Sequence, residues 1–182
     1  MNTSRRALFG LLLGAPLGVA AIFAPRVGRA DEPAHCTMRV IHALEQVDPP
    51  GLKPEPDANH DGAPDPKIDP KIDRLRPYLL RPPFTAWREF VLLDSRKIDL
   101  KMKEPQSFPL PNGKTATVTF VDHVPDQAGH PHRVRVQLQI GDGKHRDLNT
   151  VFIVDEGSFV LQAGQPYKQG MLVLATSCEQ TH

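Results

Sequence analysis

A short segment of this chain concentrates side chains that could bind a hard cation. Carboxylate and amide oxygens stand at relative positions 1, 3, 5 and 9, on Asp57, Asn59, Asp61 and Asp65. Calcium takes roughly six to eight oxygen ligands from a loop that wraps tightly around it, and Gly62 permits the required turn. The spacing therefore predicts a calcium site in this loop.

The loop resembles the DxDxDG calcium loops of EF-hands and of thrombospondin type 3 repeats. It departs from the EF-hand pattern at position 12, where Ile68 replaces the bidentate glutamate, and at position 8, which is Pro64. The nearest later carboxylate, Asp69, comes one residue late. With ligands missing, we expect weak calcium binding that stiffens the loop. A solvated, turn-rich spacer without an ion is the alternative interpretation.

A second group of possible metal ligands lies in a predicted loop between two strands. Its imidazoles belong to His123, His130 and His132, and the HxH spacing can place two rings on one side of an extended chain. Zinc or copper would suit these nitrogen ligands. No cysteine or fourth ligand accompanies them in the loop, so an exposed polar loop is the alternative.

The first 30 residues have the layout of a signal peptide. Arg5 and Arg6 stand ahead of an apolar stretch from Ala7 to Ala24, which is typical of a charged region followed by a hydrophobic one. Small residues at Gly28 and Ala30 would allow cleavage directly after them. The mature protein would then be a single domain of residues 31–182.

The segment Ser4-Arg5-Arg6-Ala7-Leu8-Phe9 resembles the twin-arginine export motif. A general secretory leader accounts for the same two arginines, so the export route stays open. Both routes predict a periplasmic or secreted protein with no membrane anchor after cleavage.

The charge balance of residues 31–182 argues against a nucleic-acid partner. Four of the 22 Lys and Arg and none of the 21 acids lie in the first 30 residues, so the rest carries a net charge of −3. Nucleic-acid binders usually cluster their basic residues on one surface, whereas here these residues are spread singly.

The two cysteines, Cys36 and Cys178, lie near the two ends of the predicted mature chain. An even pair in an oxidising compartment indicates a disulfide. If the first and last strands pair antiparallel, Cys36 at the start of one comes beside Cys178 at the end of the other. Closing so long a loop would stabilise the fold by about 4 to 5 kcal/mol.

The first half of the mature chain mixes strand, irregular and helical patterns. Residues 36–45 are predicted as a strand, or as a short helix, with His42 as a core histidine. Seven prolines in residues 48–70 predict a surface excursion. Two runs with helical spacing follow: Ile68, Ile72, Leu75 and Leu79, then Phe84, Trp87, Phe90 and Val91.

From Lys97 onward the apolar period switches to two, which predicts strands between turns marked by Gly or Pro. Residues 151–154 are apolar on both faces, as in strands covered on both sides. The sequence therefore predicts a mainly β protein, an antiparallel β-sandwich with one or two short helices inserted after the first strand. The clearest strand carries a polar stripe of Arg133, Arg135, Gln137 and Gln139.

The sequence favours a function without catalysis. It contains no GxSxG elbow and no HExxH motif, and its acids do not separate into a general acid and a general base. We expect an exported module that binds an envelope or extracellular partner, with the polar stripe as one possible surface. The alternatives are a metal-binding protein that uses the two loops above and, less favoured, a hydrolase assembled from distant residues.

Overall fold

Two β-sheets make up the described part of the chain. The computed structural model describes residues 32–45, 65–124 and 132–179. The sheets enclose a shared core, which confirms the predicted mainly β sandwich. The strands are β1 Ala34–Leu44, β2 Lys67–Ile68, β3 Glu89–Leu100, β4 Pro105–Pro109, β5 Thr115–Val124, β6 Arg133–Gly141, β7 Arg146–Asp155, β8 Val160–Tyr167 and β9 Gly170–Glu179.

The larger sheet has five strands in the order β2-β3-β1-β9-β8. Its pairings are antiparallel except for the short parallel contact of β2 with β3. The register of β1 and β9 places Cys36 directly opposite Cys178, and the two sulfur atoms are bonded at 2.08 Å. The predicted disulfide and the pairing of the first and last strands are therefore confirmed.

The smaller sheet has four antiparallel strands in the order β4-β5-β6-β7. Alternate side chains of β5 and β6 are buried, as the period of two predicts. They pack against the inner face of the larger sheet and form the main core. Its members include Met38, Val40, Leu172 and Leu174 from the larger sheet and Val118, Phe120, Val136 and Leu138 from the smaller one.

Residues 67–86, between β1 and β3, cover the outer face of the larger sheet, and we call them the covering segment. It contains β2, a 3-10 helix at Pro70–Leu75, the short helix α1 at Arg76–Leu79 and a 3-10 turn at Phe84–Ala86. Its side chains form a second core with the sheet, which leaves the larger sheet covered on both faces. This core joins Ile68, Ile72, Leu75, Leu79 and Phe84 to Ile41, Ala43, Phe90, Val173 and Ala175.

The helical spacing identified several residues that are buried in this segment, but it predicted the wrong secondary structure for some of them. Ile68 lies in β2, and Phe90 and Val91 lie in β3, so these residues are not helical. The prediction that strands begin at Lys97 is also wrong, because β3 begins at Glu89. Apolar residues at consecutive positions hide the alternation there, as in strands packed on both faces.

Prolines obscured two edge strands. The strand β4 begins and ends with proline, which has no backbone N–H to donate. Proline is tolerated in an edge strand because such a strand hydrogen-bonds to a neighbour on one side only. The last residues of the predicted excursion over 48–70 are in regular structure, because Lys67 and Ile68 form β2 and Pro70 begins the 3-10 helix. The predicted signal peptide and residues 46–64 lie outside the described residues. No helix within the described ranges is long and apolar enough to cross a membrane.

Candidate binding surface

The outer face of the smaller sheet stays uncovered by the rest of the described chain. The polar stripe predicted from sequence runs along its central strand β6, where each side chain points outward and is half-buried. On β7, Val151 lies opposite Gln137, and Ile153 lies opposite Arg135. We call this surface the open face and define it as Thr115, Thr117, Thr119, Arg133, Arg135, Gln137, Gln139, Asn149, Val151 and Ile153.

Side-chain hydrogen bonds fix the polar half of the open face. Gln137 Nε2 donates to Asn149 Oδ1 at 2.9 Å, which links β6 to β7. The hydroxyls of Ser107 and Thr117 lie 2.8 Å apart and link β4 to β5. Because these groups already hold one another across neighbouring strands, the surface is largely preorganised for a ligand.

An ion pair lies beside an irregularity in the ladder between β5 and β6. Arg135 Nη1 lies 2.7 Å from Asp122 Oδ2, and the register of the two strands shifts between Phe120 and Asp122. The second carboxylate oxygen, Asp122 Oδ1, is buried and accepts no hydrogen bond from the described residues. Among the described residues, the Asp122 carboxylate is therefore bound only by Arg135, which belongs to the open face.

Two aliphatic side chains on β7 give the open face an apolar edge. Val151 is 51% exposed and Ile153 is 42% exposed. The expectation that residues 151–154 are covered on both sides is wrong, because nothing in the described chain packs over their outer face. Among the described strands β7 pairs with β6 alone, so its other edge carries no strand. An exposed apolar edge strand is a template for pairing with another chain.

A polar cleft of about 460 Å³ adjoins the open face where β6 turns into β7. Thr115, Thr117 and Gln139 line one side, and the turn from Gly141 to Arg146 forms the other. The cleft therefore offers hydroxyl, amide and cationic groups to a polar ligand.

Asp142 builds the turn beside this cleft. Its Oδ1 accepts hydrogen bonds from the backbone N–H groups of His145 at 2.6 Å and Lys144 at 2.8 Å. These two hydrogen bonds, led by that from His145, lower the pKa of the Asp142 carboxyl from its ordinary value, because they favour the charged form. The Asp142 side chain thus orders the turn by accepting hydrogen bonds from its backbone.

The predicted calcium loop falls largely outside the described residues. Of its four ligand residues the structure describes Asp65, which precedes β2, whereas Asp57, Asn59 and Asp61 lie outside. Calcium binding by this loop therefore stays a prediction.

The predicted histidine site is described in part. His123 lies near the end of β5, with its Nε2 3.3 Å from the Glu32 carbonyl oxygen and its ring against Phe120. His132 directly precedes β6, and His130 lies outside the described residues. The described ranges contain no group of three or more His, Cys, Asp or Glu residues placed to hold a metal. Zinc or copper binding stays a prediction that depends on His130.

The buried histidine of β1 has a structural role. The side chain of His42 is 7% exposed, and its Nε2 lies 3.2 Å from the carbonyl oxygen of Tyr167. Its ring also meets the Tyr167 ring edge-on, with centroids 4.9 Å apart. The prediction of a core histidine is therefore confirmed.

The sequence did not mark every part of the candidate surface. The polar stripe and the turn glycines were visible as patterns, but the exposure of Val151 and Ile153 was not, because apolar residues at consecutive positions usually indicate burial. Comparison of the chain with known protein families, curated proteins and solved structures found no match.

Proposed function

We propose that this protein is an exported, non-enzymatic binding module whose free β7 edge, at the border of the open face, pairs with an extended segment of a protein partner. The observation that carries the proposal is the exposure of Val151 and Ile153 on a strand whose outer edge no described strand occupies. An extended segment would add to the sheet as a further strand beside β7.

The chemistry of β7 supports this mode of binding. Between Leu148 and Val154 the strand has no proline and no charged residue, so nothing in that stretch blocks a neighbouring backbone. Main-chain hydrogen bonds would supply affinity, and alternate side chains of the partner would meet Val151 and Ile153. Charges at both ends, Asp147 and Asp155, would keep free molecules from stacking through this edge.

Export is supported by the disulfide and by the leader-like sequence. Disulfides such as Cys36–Cys178 persist in oxidising compartments and are rare in the reducing cytosol. The pattern of residues 1–30 agrees with that setting. An envelope or extracellular protein is therefore the partner class that we propose.

Site-specific photo-crosslinking in native cells tests the proposal. A photoreactive amino acid at position 151 should give a discrete adduct with one protein, and the same group at position 93 should give none. Leu93 is the matched control because it is a similarly exposed aliphatic residue, 38% exposed, on the other sheet.

A second arm ties the adduct to the strand edge. With the photoreactive group kept at position 151, an Ile153→Lys variant should lose the adduct while unfolding at an unchanged temperature, and Leu93→Lys should retain it. Identical adducts from positions 151 and 93 would contradict the proposal. If the adduct joins two copies of this chain and sedimentation shows a dimer, the β7 edge mediates self-association and the proposal of a different protein partner is wrong.

A further inference from the structure

Two arginines converge on one aromatic ring on the outer side of the larger sheet. The guanidinium carbon of Arg39 lies 5.4 Å from the centroid of the Phe159 ring, and that of Arg74 lies 5.9 Å from it. Arg39 belongs to β1 and Arg74 to the 3-10 helix of the covering segment. Contacts of this kind attract a cation to the ring and restrict its orientation.

No carboxylate in the described residues forms an ion pair with either arginine. The nearest acid in sequence, Asp73, pairs instead with Arg76, with Oδ1 2.9 Å from Nε. Burial and the positive charge of Arg74 lower the pKa of Arg39, and Glu179 opposes them more weakly. Two like charges thus lie near each other with little compensation, an arrangement that an added anion would relieve.

Two neutral side chains contact Arg39 and the Phe159 ring. Arg39 Nη1 donates to Ser177 Oγ at 3.3 Å, and Ser177 is 9% exposed. The Tyr78 ring meets Phe159 edge-on with centroids 5.7 Å apart. On β3, Lys97 lies opposite Thr37, two residues before Arg39, and two acids, Asp99 and Glu179, lie further along the same face opposite His35. We call Arg39, Arg74, Tyr78, Phe159 and Ser177 the arginine cluster.

We infer that the arginine cluster binds an oxyanion, the phosphate or carboxylate group of a small ligand. Guanidinium groups present several N–H donors in a planar fork that matches both kinds of anion, and such charge-assisted hydrogen bonds are among the strongest in proteins. Arg39 is held in place by Ser177 and Phe159, so part of the ordering cost of binding is already met. Arg74 is more exposed than Arg39, so its side chain is free to move toward a bound anion.

Titration of the purified protein with inorganic phosphate and with acetate, at constant ionic strength, tests this inference. Binding should be followed by NMR through the Nε–H signals of the arginines. The signals of Arg39 and Arg74 should shift with saturation for at least one anion, and the tighter of the two identifies the chemical group. Signals that move linearly with salt, without saturation, would overturn the site.

Matched variants assign the binding to the cluster. Arg74→Gln should weaken binding about tenfold or more, the loss expected for one charge-assisted hydrogen bond. Arg81→Gln should leave it unchanged, because Arg81 is an exposed arginine of the same covering segment outside the cluster. Arg39→Lys keeps the charge but not the fork and should also weaken binding. Equal affinity in Arg74→Gln and the original protein would overturn the inference, and thermal unfolding confirms that each variant is folded.

Discussion

The two outer faces of this sandwich differ in what covers them. On the larger sheet, residues 67–86 pack five apolar side chains over the strands, and the interior strand β9 is buried on both faces. On the smaller sheet, β5 and β6 bury alternate residues and present the others outward. The same chain thus builds one sheet that resembles the middle layer of a three-layer protein and one that faces solvent.

This difference shows that consecutive apolar residues in a strand indicate burial on both faces only where another segment covers the sheet. Val173 and Ala175 of β9 are fully buried because the covering segment lies over them. Val151 and Ile153 of β7 have the same aliphatic character, but they face outward without such a cover. The proposed binding role rests on these exposed apolar side chains.

Removing the disulfide should have the largest effect and tests whether the larger sheet depends on its central pair of strands. A Cys36→Ala/Cys178→Ala variant should lose about 4 to 5 kcal/mol of unfolding free energy, because the unfolded chain gains the freedom of a long open loop. Thermal unfolding should then occur roughly 8 to 20 °C lower. An unchanged melting temperature would mean that the strands of this sheet are held by other contacts alone.

Truncating one residue on each sheet compares the covered and the open face directly. Phe90→Ala should lower the free energy of unfolding by about 3 to 5 kcal/mol, since Phe90 is fully buried beneath the covering segment. Ile153→Ala should change it by no more than about 0.5 kcal/mol. Denaturant unfolding measures both. A large loss for Ile153→Ala in the isolated protein would mean that the open face is covered in solution.

Calcium should have a smaller effect, through the loop that joins β1 to the covering segment in sequence. At free calcium about tenfold above its Kd, stability should rise by about 1.4 kcal/mol, because the ion binds the folded state. Melting temperatures with calcium and with chelator measure the shift. Asp57→Ala/Asp61→Ala should abolish it and His130→Ala should not. A shift that survives loss of both aspartates would contradict the predicted ligands.

Titration of Asp142 should give the smallest effect and probes the turn at the end of the open face. Its folded-state pKa is depressed, so its contribution to stability is present at neutral pH and is lost as the pH falls through that pKa. Carboxyl carbon NMR should place the midpoint below that of aspartate in a short peptide. Asp142→Asn, which keeps an acceptor oxygen, should preserve the turn better than Asp142→Ala. An ordinary midpoint would mean that the two backbone hydrogen bonds do not persist in solution.

The sequence by itself determined the features that depend on local periodicity or on simple pairing. The alternation of β6 follows from side chains that point to opposite faces of a strand, and one buried face is enough to impose it. The disulfide followed from an even pair of cysteines near the ends of the predicted mature chain, together with antiparallel pairing of the end strands. The choice of inward and outward residues along β5 was predictable for the same reason.

Tertiary structure decided the features that depend on what lies over a strand. Phe90 is buried because the covering segment packs over its sheet, and Ile153 is exposed because no described segment packs over the other sheet. No local sequence pattern encodes which sheet the segment covers. Proline hid β4, because a missing N–H is tolerated only where one neighbour is absent, and edges are defined by the whole sheet. Arg39 and Arg74 meet at one ring only because the segment folds back across β1.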